Sequence, residues 1–351
     1  MKAFSNGTNS RLKVIVIYGG NSPEHDVSRT SALHIVKAID LSIYETNLVA
    51  IDQSGLWYEF AHDLSSDEQS SYCDILPVAG SPINPIDYLT SFDTEKLVVF
   101  PALHGPNGED GTIQGLLELF NIAYVGSKVL SSAICMDKIK CKELLSVSEL
   151  LQTKWTSIHK NSIEKLDVAS VDLIGDLFIK PANMGSSIGV TKVTDRDNLK
   201  SALNEAAKYD EWLIIEEAVK GREIEVAILD NGELKASLPG EIIPGAEFYN
   251  YEDKYDDGAF LQIPANLTES EIAEVQDLAL TAFKLLRCRG LARVDFFFDE
   301  IGHQWFINEI NTMPGFTPIS MYPKLWDATG ISYPKLVNLL LQGPLNEIPM
   351  E

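Results

Sequence analysis

Four residues on two adjacent strand-like segments could hold a metal ion. Arg293 and Asp295 lie two apart in the apolar run 291–298, and Glu309 and Asn311 lie two apart at the end of a second run, 304–310. Side chains alternate faces along a strand, so each pair shares a face. Positions 295 and 309 are centred on Gly302, inside the turn Asp299-Glu300-Ile301-Gly302-His303. A hairpin closing there sets Asp295 opposite Glu309. Facing carboxylates repel, so something positive should sit between them. Two carboxylates and an amide oxygen are hard ligands, suited to Mg²⁺ held together with substrate phosphates. On spacing alone, an exposed strand face that happens to be charged fits equally well.

Other segments carry chemistry of a complementary kind. In residues 178–190 a strand delivers Lys180 into the small-residue loop Gly185-Ser186-Ser187-Ile188-Gly189. Backbone N–H groups of such a loop can approach a phosphate, and the Lys adds a point charge. The spacing is not that of a P-loop, and a plain hairpin loop is the alternative. Residues 19–28 follow the first strand with Gly19-Gly20 and Glu24, where a carboxylate beside a glycine turn could hold a substrate amine. Ser28 reads as a helix cap there, and the dinucleotide-binding pattern GxGxxG is absent, which argues against NAD. His104 opens the loop 104–111 after a buried strand, at the strand end where open α/β sheets bind ligands. Residues 248–258, aromatic and charged with little period, suit a lid that excludes water, or an ordinary surface loop.

These segments need a frame to position them. Strands are expected at 14–18, 48–51, 97–100 and 122–125, with a helix over 28–39 and no clear period through 62–95. A second unit begins near Ser131, with a helix over 134–145, strands at 177–180, 190–193 and 212–216, and a helix over 195–207 capped by Asp195. A third unit runs from about Gly221, with a strand at 222–229, a hairpin turn at Asp230-Asn231-Gly232, and an amphipathic helix over 268–286. Ile272, Val275, Ala279, Ala282 and Leu286 share one face of that helix. Strand, turn and helix in alternation mark an α/β chain.

Composition narrows the functions. The 351 residues include 51 Asp and Glu against 28 Lys and Arg, a formal net charge of −23. Such a surface repels nucleic-acid phosphates and anionic membranes. A few lysines and a metal can still invert the field locally for a small anionic ligand. Apolar residues make up 45% and charged residues 23%, as in chains that bury real cores. Cys73, Cys135, Cys141 and Cys288 form no zinc spacing and no disulfide framework. No apolar run approaches the ~18 residues of a membrane span. The polar start, residues 1–11, lacks a signal-peptide centre and reads as a flexible tail on a cytoplasmic protein.

Taken together and in order, the segments GGNSPEHDVS, HGPNGEDGTIQG, MDKIKCKELL, KPANMGSSIGV, FYNYEDKY, LARVDFF and NEINTMPGFT resemble the D-alanine–D-alanine ligases of the ATP-grasp superfamily. The resemblance spans residues 19–318, and EHDVS and FYNYEDKY are its most specific parts. It implies a three-domain α/β architecture: a Rossmann-like N-terminal substrate domain over 12–130, a central ATP-grasp subdomain over 131–219, and a C-terminal one over 220–351 with a lid loop at 245–260. It implies ATP as co-substrate and two Mg²⁺ ions, with Mn²⁺ able to substitute. Lys138 and Lys180 would contact the phosphates, Ser187 would lie over them, and Lys254 would reach the transferred phosphate. Glu216 falls at the adenine hinge and Glu223 at the ribose. Asp295, Glu309 and Asn311 match the metal ligands, and Arg293 with the Gly315 N–H the oxyanion donors.

On the substrate side, the resemblance makes Glu24 the anchor for the first amine, bonded in a group with Ser186 and Tyr255. His104, Ser320 and Met321 fall at the substrate pocket, the last two where a second D-alanine would be held. The implied reaction joins two D-alanines into D-alanyl-D-alanine through a D-alanyl phosphate, for peptidoglycan synthesis, in a homodimer. Tyr at 255 favours the dipeptide over the D-lactate ester. A D-alanyl-D-serine or D-alanyl-D-lactate ligase, or another ATP-grasp carboxylate–amine ligase, is the alternative.

Overall fold

The computed structural model describes residues 11–61, 74–243 and 260–345. Lys254, Tyr255, Cys73, residues 1–10 of the tail and nearly all of the expected lid lie outside them. The first sheet has strand order β4-β3-β2-β1-β5-β6. Strands β1 (Leu12–Gly19), β2 (Tyr44–Ile51), β5 (Leu97–Ala102) and β6 (Ala123–Tyr124) run parallel, while β3 (Trp57–Phe60) and β4 (Ser81–Ile83) form an antiparallel edge. Residues 14–18 are wholly buried, which explains a continuous apolar run where a one-sided strand would alternate. Val14, Val16 and Phe100 pack on one side with Ala32 and Ile35 of α1 (His25–Ala38). Ile15, Ile17 and Val99 pack on the other. Ser28 is not a cap. It lies inside α1, accepts the Gly19 N–H and donates to the Ala102 carbonyl, tying the ends of β1 and β5 together. Within 62–95, β4 and α2 (Pro85–Thr90) had no visible period because they are three and six residues long. The short helix α3 (Thr112–Leu119) covers Ile17 and Val99 from the second side.

The helix expected over 134–145 is two helices, α4 (Val129–Met136) and α5 (Lys138–Leu145). Asp137 breaks the run with extended backbone, and its carboxylate accepts the Ile139 and Lys140 N–H groups at the start of α5. The break sets Lys138 on the first turn of a new helix. A four-stranded antiparallel sheet follows, ordered β7-β10-β8-β9, from β7 (Trp155–His159), β8 (Leu177–Pro181), β9 (Thr191–Val193) and β10 (Trp212–Glu217). Leu177, Ile179, Leu213 and Ile215 bury one face under Leu199 and Leu203 of α6 (Leu199–Ala206). Asp195 caps the 3₁₀ turn Arg196–Asn198 that leads into α6. By register, Phe178 pairs with Glu216 and Lys180 with Ile214, so these residues share the opposite face.

The third sheet holds β11 (Arg222–Asp230), β12 (Leu234–Ala236), β13 (Gly240–Ile243), β14 (Phe260–Gln262), β15 (Leu291–Asp299) and β16 (Gln304–Asn311). One face packs Ile224, Val226, Val294, Phe296, Ile307 and Ile310 on helix α7 (Glu269–Leu285). A reciprocal bond between Thr268 and Glu271 starts that helix. The last helices, α8 (Met321–Ala328) and α9 (Tyr333–Leu345), return to the first sheet. There Trp326, Leu336, Val337 and Leu340 join the core of Val14 and Phe100.

Candidate active site

The expected facing of Asp295 and Glu309 is observed, and a β-bulge produces it. From the turn inward, Asp299 pairs with Gln304 and Phe296 with Ile307. The register then slips by one residue, so Asp295 pairs with Glu309 and Arg293 with Asn311. Asn308 is the extra residue, at the point where the Ile307 N–H donates outward to the Leu151 carbonyl. Ile307 and Ile310, three apart, both enter the same core. Without the slip Glu309 and Asn311 would turn into that core. With it, they join Asp295, Arg293 and Phe297 on the other face, beside Glu223 and Glu225 of β11, which pair with Phe297 and Asp295.

Carboxylates outnumber cations on this face, with Arg293 set among Glu223, Glu225, Asp295 and Glu309. Arg293 Nε donates to Asp295 Oδ1 at 2.8 Å and Nη2 to Oδ2 at 2.7 Å, and Nε lies 2.8 Å from Glu225 Oε2. Burial works against the guanidinium charge, but Asp295 and Glu225 outweigh it and raise its pKa. Asn311 Nδ2 donates to Asp295 Oδ2 at 2.9 Å. That bond uses the amide nitrogen and leaves its oxygen as the atom able to meet a cation. Among the described residues no group of three or more His, Cys, Asp or Glu is arranged to hold a metal ion. The donors present are two carboxylates and an amide oxygen. This set fits Mg²⁺ if the remaining ligands come from water and substrate phosphates.

This face and the polar face of the second sheet bound one cavity of about 880 Å³. Lys138, Lys180, Ser186, Ser187, Glu216 and Glu223 line it, as do Arg293, Asp295 and Glu309. Lys138 Nζ donates to the Met184 carbonyl at 2.6 Å and stands 3.9 Å from Glu309 Oε2. Lys180 Nζ is 2.7 Å from Glu216 Oε2, and Lys142 Nζ is 2.7 Å from Glu216 Oε1. Burial alone would raise the Glu216 pKa, but the two lysines hold it well below the usual carboxylate range. Ser186 and Ser187 adopt left-handed backbone, φ 49° and 58°, an uncommon state for residues with side chains. The loop is therefore held in a special shape.

A second cluster adjoins the cavity through Ser186, whose hydroxyl donates to Glu24 Oε1. The Glu24 carboxylate fits between two glycines. A Cβ at Gly105, which has φ +72°, would lie 2.7 Å from its Oε2, and one at Gly185 would lie 2.8 Å away. His104 is buried, and the protein uses both ring nitrogens. Nδ1 meets the Met313 carbonyl at 3.0 Å and Nε2 meets Ser31 Oγ at 3.1 Å. A carbonyl only accepts, so Nδ1 carries the proton and Ser31 donates to Nε2. Ser31 Oγ in turn accepts the Phe316 N–H at 3.1 Å. Burial lowers the His104 pKa more than the charge of Glu24 raises it, so the ring is neutral. His104 thus holds the segment on either side of Gly315. Ser320 Oγ accepts the Thr317 N–H at 3.0 Å, and the Met321 side chain belongs to the core.

Four participants escaped the sequence reading. Lys142 reaches the site only through other side chains, and Glu225 lines the cavity from β11 beside Asp295; no spacing rule reports either. Glu109 sits in the loop of His104, and its Oε1 accepts the Gly105 N–H at 2.8 Å. Burial, and then the charge of Glu24, push its pKa up to about 8. The phrase HGPNGED held that residue in view, but only the fold brings Glu24 beside it. Phe297 was findable, because it continues the alternation of Arg293 and Asp295.

Known proteins match most of the length of this chain. Residues 13–127 match a family model described as D-ala D-ala ligase N-terminus, and residues 144–342 one described as D-ala D-ala ligase C-terminus. A D-alanine–D-alanine ligase of Oceanobacillus iheyensis is 46% identical over 350 residues, covering 95% of this chain and 94% of the relative. One from Geobacillus thermodenitrificans is 44% identical over 345 residues, covering 94% of each. Among solved structures, the D-alanine-D-alanine ligase from Coxiella burnetii aligns with a TM-score of 0.77 at 34% identity, covering 96% of this chain and 94% of that one. A D-Ala:D-Ser ligase from Enterococcus faecalis aligns with a TM-score of 0.79 at 31% identity, covering 94% and 98%.

Proposed function

Because the chain belongs to the D-alanine–D-alanine ligase family, an ATP-grasp fold, we propose that its cavity carries out that family's reaction with the residues that line it. The chain is an ATP-dependent ligase that joins two D-alanine molecules. The observation that carries the assignment of the site is the cavity itself: the start of α5 and the face of the second sheet bring Lys138 and Lys180 opposite Asp295 and Glu309 of the third sheet. Cations on one wall and hard oxygen ligands on the other suit a nucleotide triphosphate with Mg²⁺.

In this reading ATP phosphorylates the carboxylate of the first D-alanine, and the amine of the second displaces phosphate from the D-alanyl phosphate. Lys138 and Lys180 neutralise phosphate charge, and the Ser186–Ser187 loop closes over the phosphates. Asp295, Glu309 and the Asn311 oxygen would hold Mg²⁺, which neutralises charge on the transferred phosphoryl group. Arg293 and the Gly315 N–H face the oxyanion that forms during acyl transfer. Glu24, anchored by Ser186, holds the first ammonium, and Ser320 and Met321 border the second amino acid. His104, neutral and bonded on both sides, keeps the Gly315 segment in place. Glu216 and Glu223 lie along the nucleoside end of the cavity. The roles assigned to Lys254 and Tyr255 fall outside the described residues. The product serves peptidoglycan synthesis in the cytoplasm, and the enzyme works as a homodimer. No helix among the described residues is long and apolar enough to cross a membrane.

The deciding experiment measures phosphate release with Mg²⁺-ATP against D-alanine, L-alanine, D-alanine with D-lactate, D-alanine with D-serine, and no amino acid, with products weighed by mass spectrometry. Release with D-alanine alone, together with a D-alanyl-D-alanine mass, is the expected result. Release only with a mixed pair would move the acceptor to D-serine or D-lactate. No release in any mixture would overturn the assignment.

A further inference from the structure

Lys142 is a buried cation that no motif of the site accounts for. It lies on α5, one turn beyond Lys138, with a residue exposure of 3%. Its Nζ is 2.7 Å from Glu216 Oε1 and donates to Thr153 Oγ1 at 3.2 Å. Thr153 Oγ1 also donates to Glu216 Oε1 at 3.3 Å. The other oxygen of Glu216 faces Lys180 at 2.7 Å. Thr153, Lys180 and Glu216 line the cavity, and Lys142 stands behind them. A buried carboxylate on the wall of a nucleotide site repels phosphate and competes for the lysine that should meet it. Glu216 is such a carboxylate, and both lysines keep it ionised.

We propose that Lys142 is a positioning residue for nucleotide binding: it permanently neutralises Glu216 from behind, so that Lys180 presents a net positive charge to the phosphates. This rests on the nucleotide reading of the cavity. The cluster holds two positive charges and one negative, and the surplus faces the ligand. Without Lys142 the charges cancel, and Glu216 binds Lys180 alone. Lys142 would leave D-alanine binding unaffected, because Glu24 and its neighbours do not touch it.

The test compares wild type with K142M, K142R and the double variant K142M/E216Q. The readouts are the equilibrium affinity for a non-hydrolysable ATP analogue with Mg²⁺, the KM values for ATP and D-alanine, and thermal stability. K142M should weaken nucleotide binding on the order of tenfold or more, with the D-alanine KM unchanged at saturating ATP. K142R keeps the charge and should bind close to wild type. E216Q alone is measured as well, since Glu216 lines the nucleotide cavity and its loss can carry a cost of its own. With no carboxylate left to engage Lys180, K142M should cost little in the E216Q background, and K142M/E216Q should bind close to E216Q. If K142M folds poorly, the comparison of K142M/E216Q with E216Q still decides. Unchanged nucleotide affinity in a folded K142M, or a K142M/E216Q about tenfold weaker than E216Q, would overturn the proposal and make Lys142 a packing residue. Wild type that binds no nucleotide would instead remove the reading on which it rests.

Discussion

Replacing Arg293 by Met tests the centre of the site most directly. Arg293 bonds both oxygens of Asp295 at 2.7 and 2.8 Å and lies 2.8 Å from Glu225. The three side chains are only 15%, 11% and 7% exposed. R293M leaves two buried carboxylates on neighbouring strands, with Glu309 paired across from one of them. Breaking a buried pair by removing one partner costs about 3–5 kcal/mol. At about 2 cal/mol/K per residue of unfolding entropy, that is a fall of about 4–7 °C in thermal midpoint for a chain this long. If the guanidinium also meets the oxyanion, turnover should drop about 10²- to 10³-fold. The assay pairs thermal melts with phosphate release at saturating D-alanine, each repeated across a Mg²⁺ series. Carboxylates freed from Arg293 should bind a cation more readily, so Mg²⁺ should raise the midpoint of R293M more than that of wild type. R293K keeps the charge without the two-pronged geometry and should recover stability more than turnover. An R293M protein that melts with wild type and turns over at a similar rate would refute both the electrostatic account and the catalytic assignment.

Four further expectations can be checked separately. D295N and E309Q should each abolish turnover or shift its Mg²⁺ requirement sharply upward; wild-type Mg²⁺ dependence in both would remove the metal assignment. E24Q and S186A should raise the KM for D-alanine with little change in that for ATP, and steady-state kinetics with each substrate varied in turn will show whether the two separate. The carboxyl of Glu109, ordinarily 4.5 and here pushed up to about 8, keeps in the folded chain a proton that the unfolded chain has released between those values. Stability from this group is therefore present below about pH 4.5 and lost as pH rises to about 8; E109Q should flatten that fall in thermal midpoint, and parallel curves for the two proteins would contradict it. Y255F should shift the product ratio from dipeptide toward the D-lactate ester, and an unchanged ratio under competing D-alanine and D-lactate would count against Tyr255 as the selector.

Much of the frame was legible because its signals are local. The buried strand 14–18 is four β-branched residues and a tyrosine, and the helix over 268–286 shows its period. The hairpin of Asp295 and Glu309 follows from the distance to a single turn. The break at Asp137 was missed because the apolar pattern continues through it, and only the extended backbone of one residue divides the helix. Residues 81–90 were missed because three- and six-residue elements are too short to establish a period.

By itself, then, the sequence determined the α/β class, the order of those strands and helices that carry a clear period, and the residues able to do chemistry, since period, turns and caps are properties of neighbouring residues. It did not determine that Asn308 would bulge. That slip turns Glu309 and Asn311 toward Asp295, and it depends on Ile307 and Ile310 finding one core while β16 pairs outward with Leu151. Nor did it determine that Lys142 would back Glu216, that His104 would hold the Gly315 segment, or that α8 and α9 would close over the first sheet. Those outcomes belong to the tertiary structure because each joins surfaces far apart in the chain. Which surfaces meet is decided by the fit and burial of whole elements, and no local pattern encodes that.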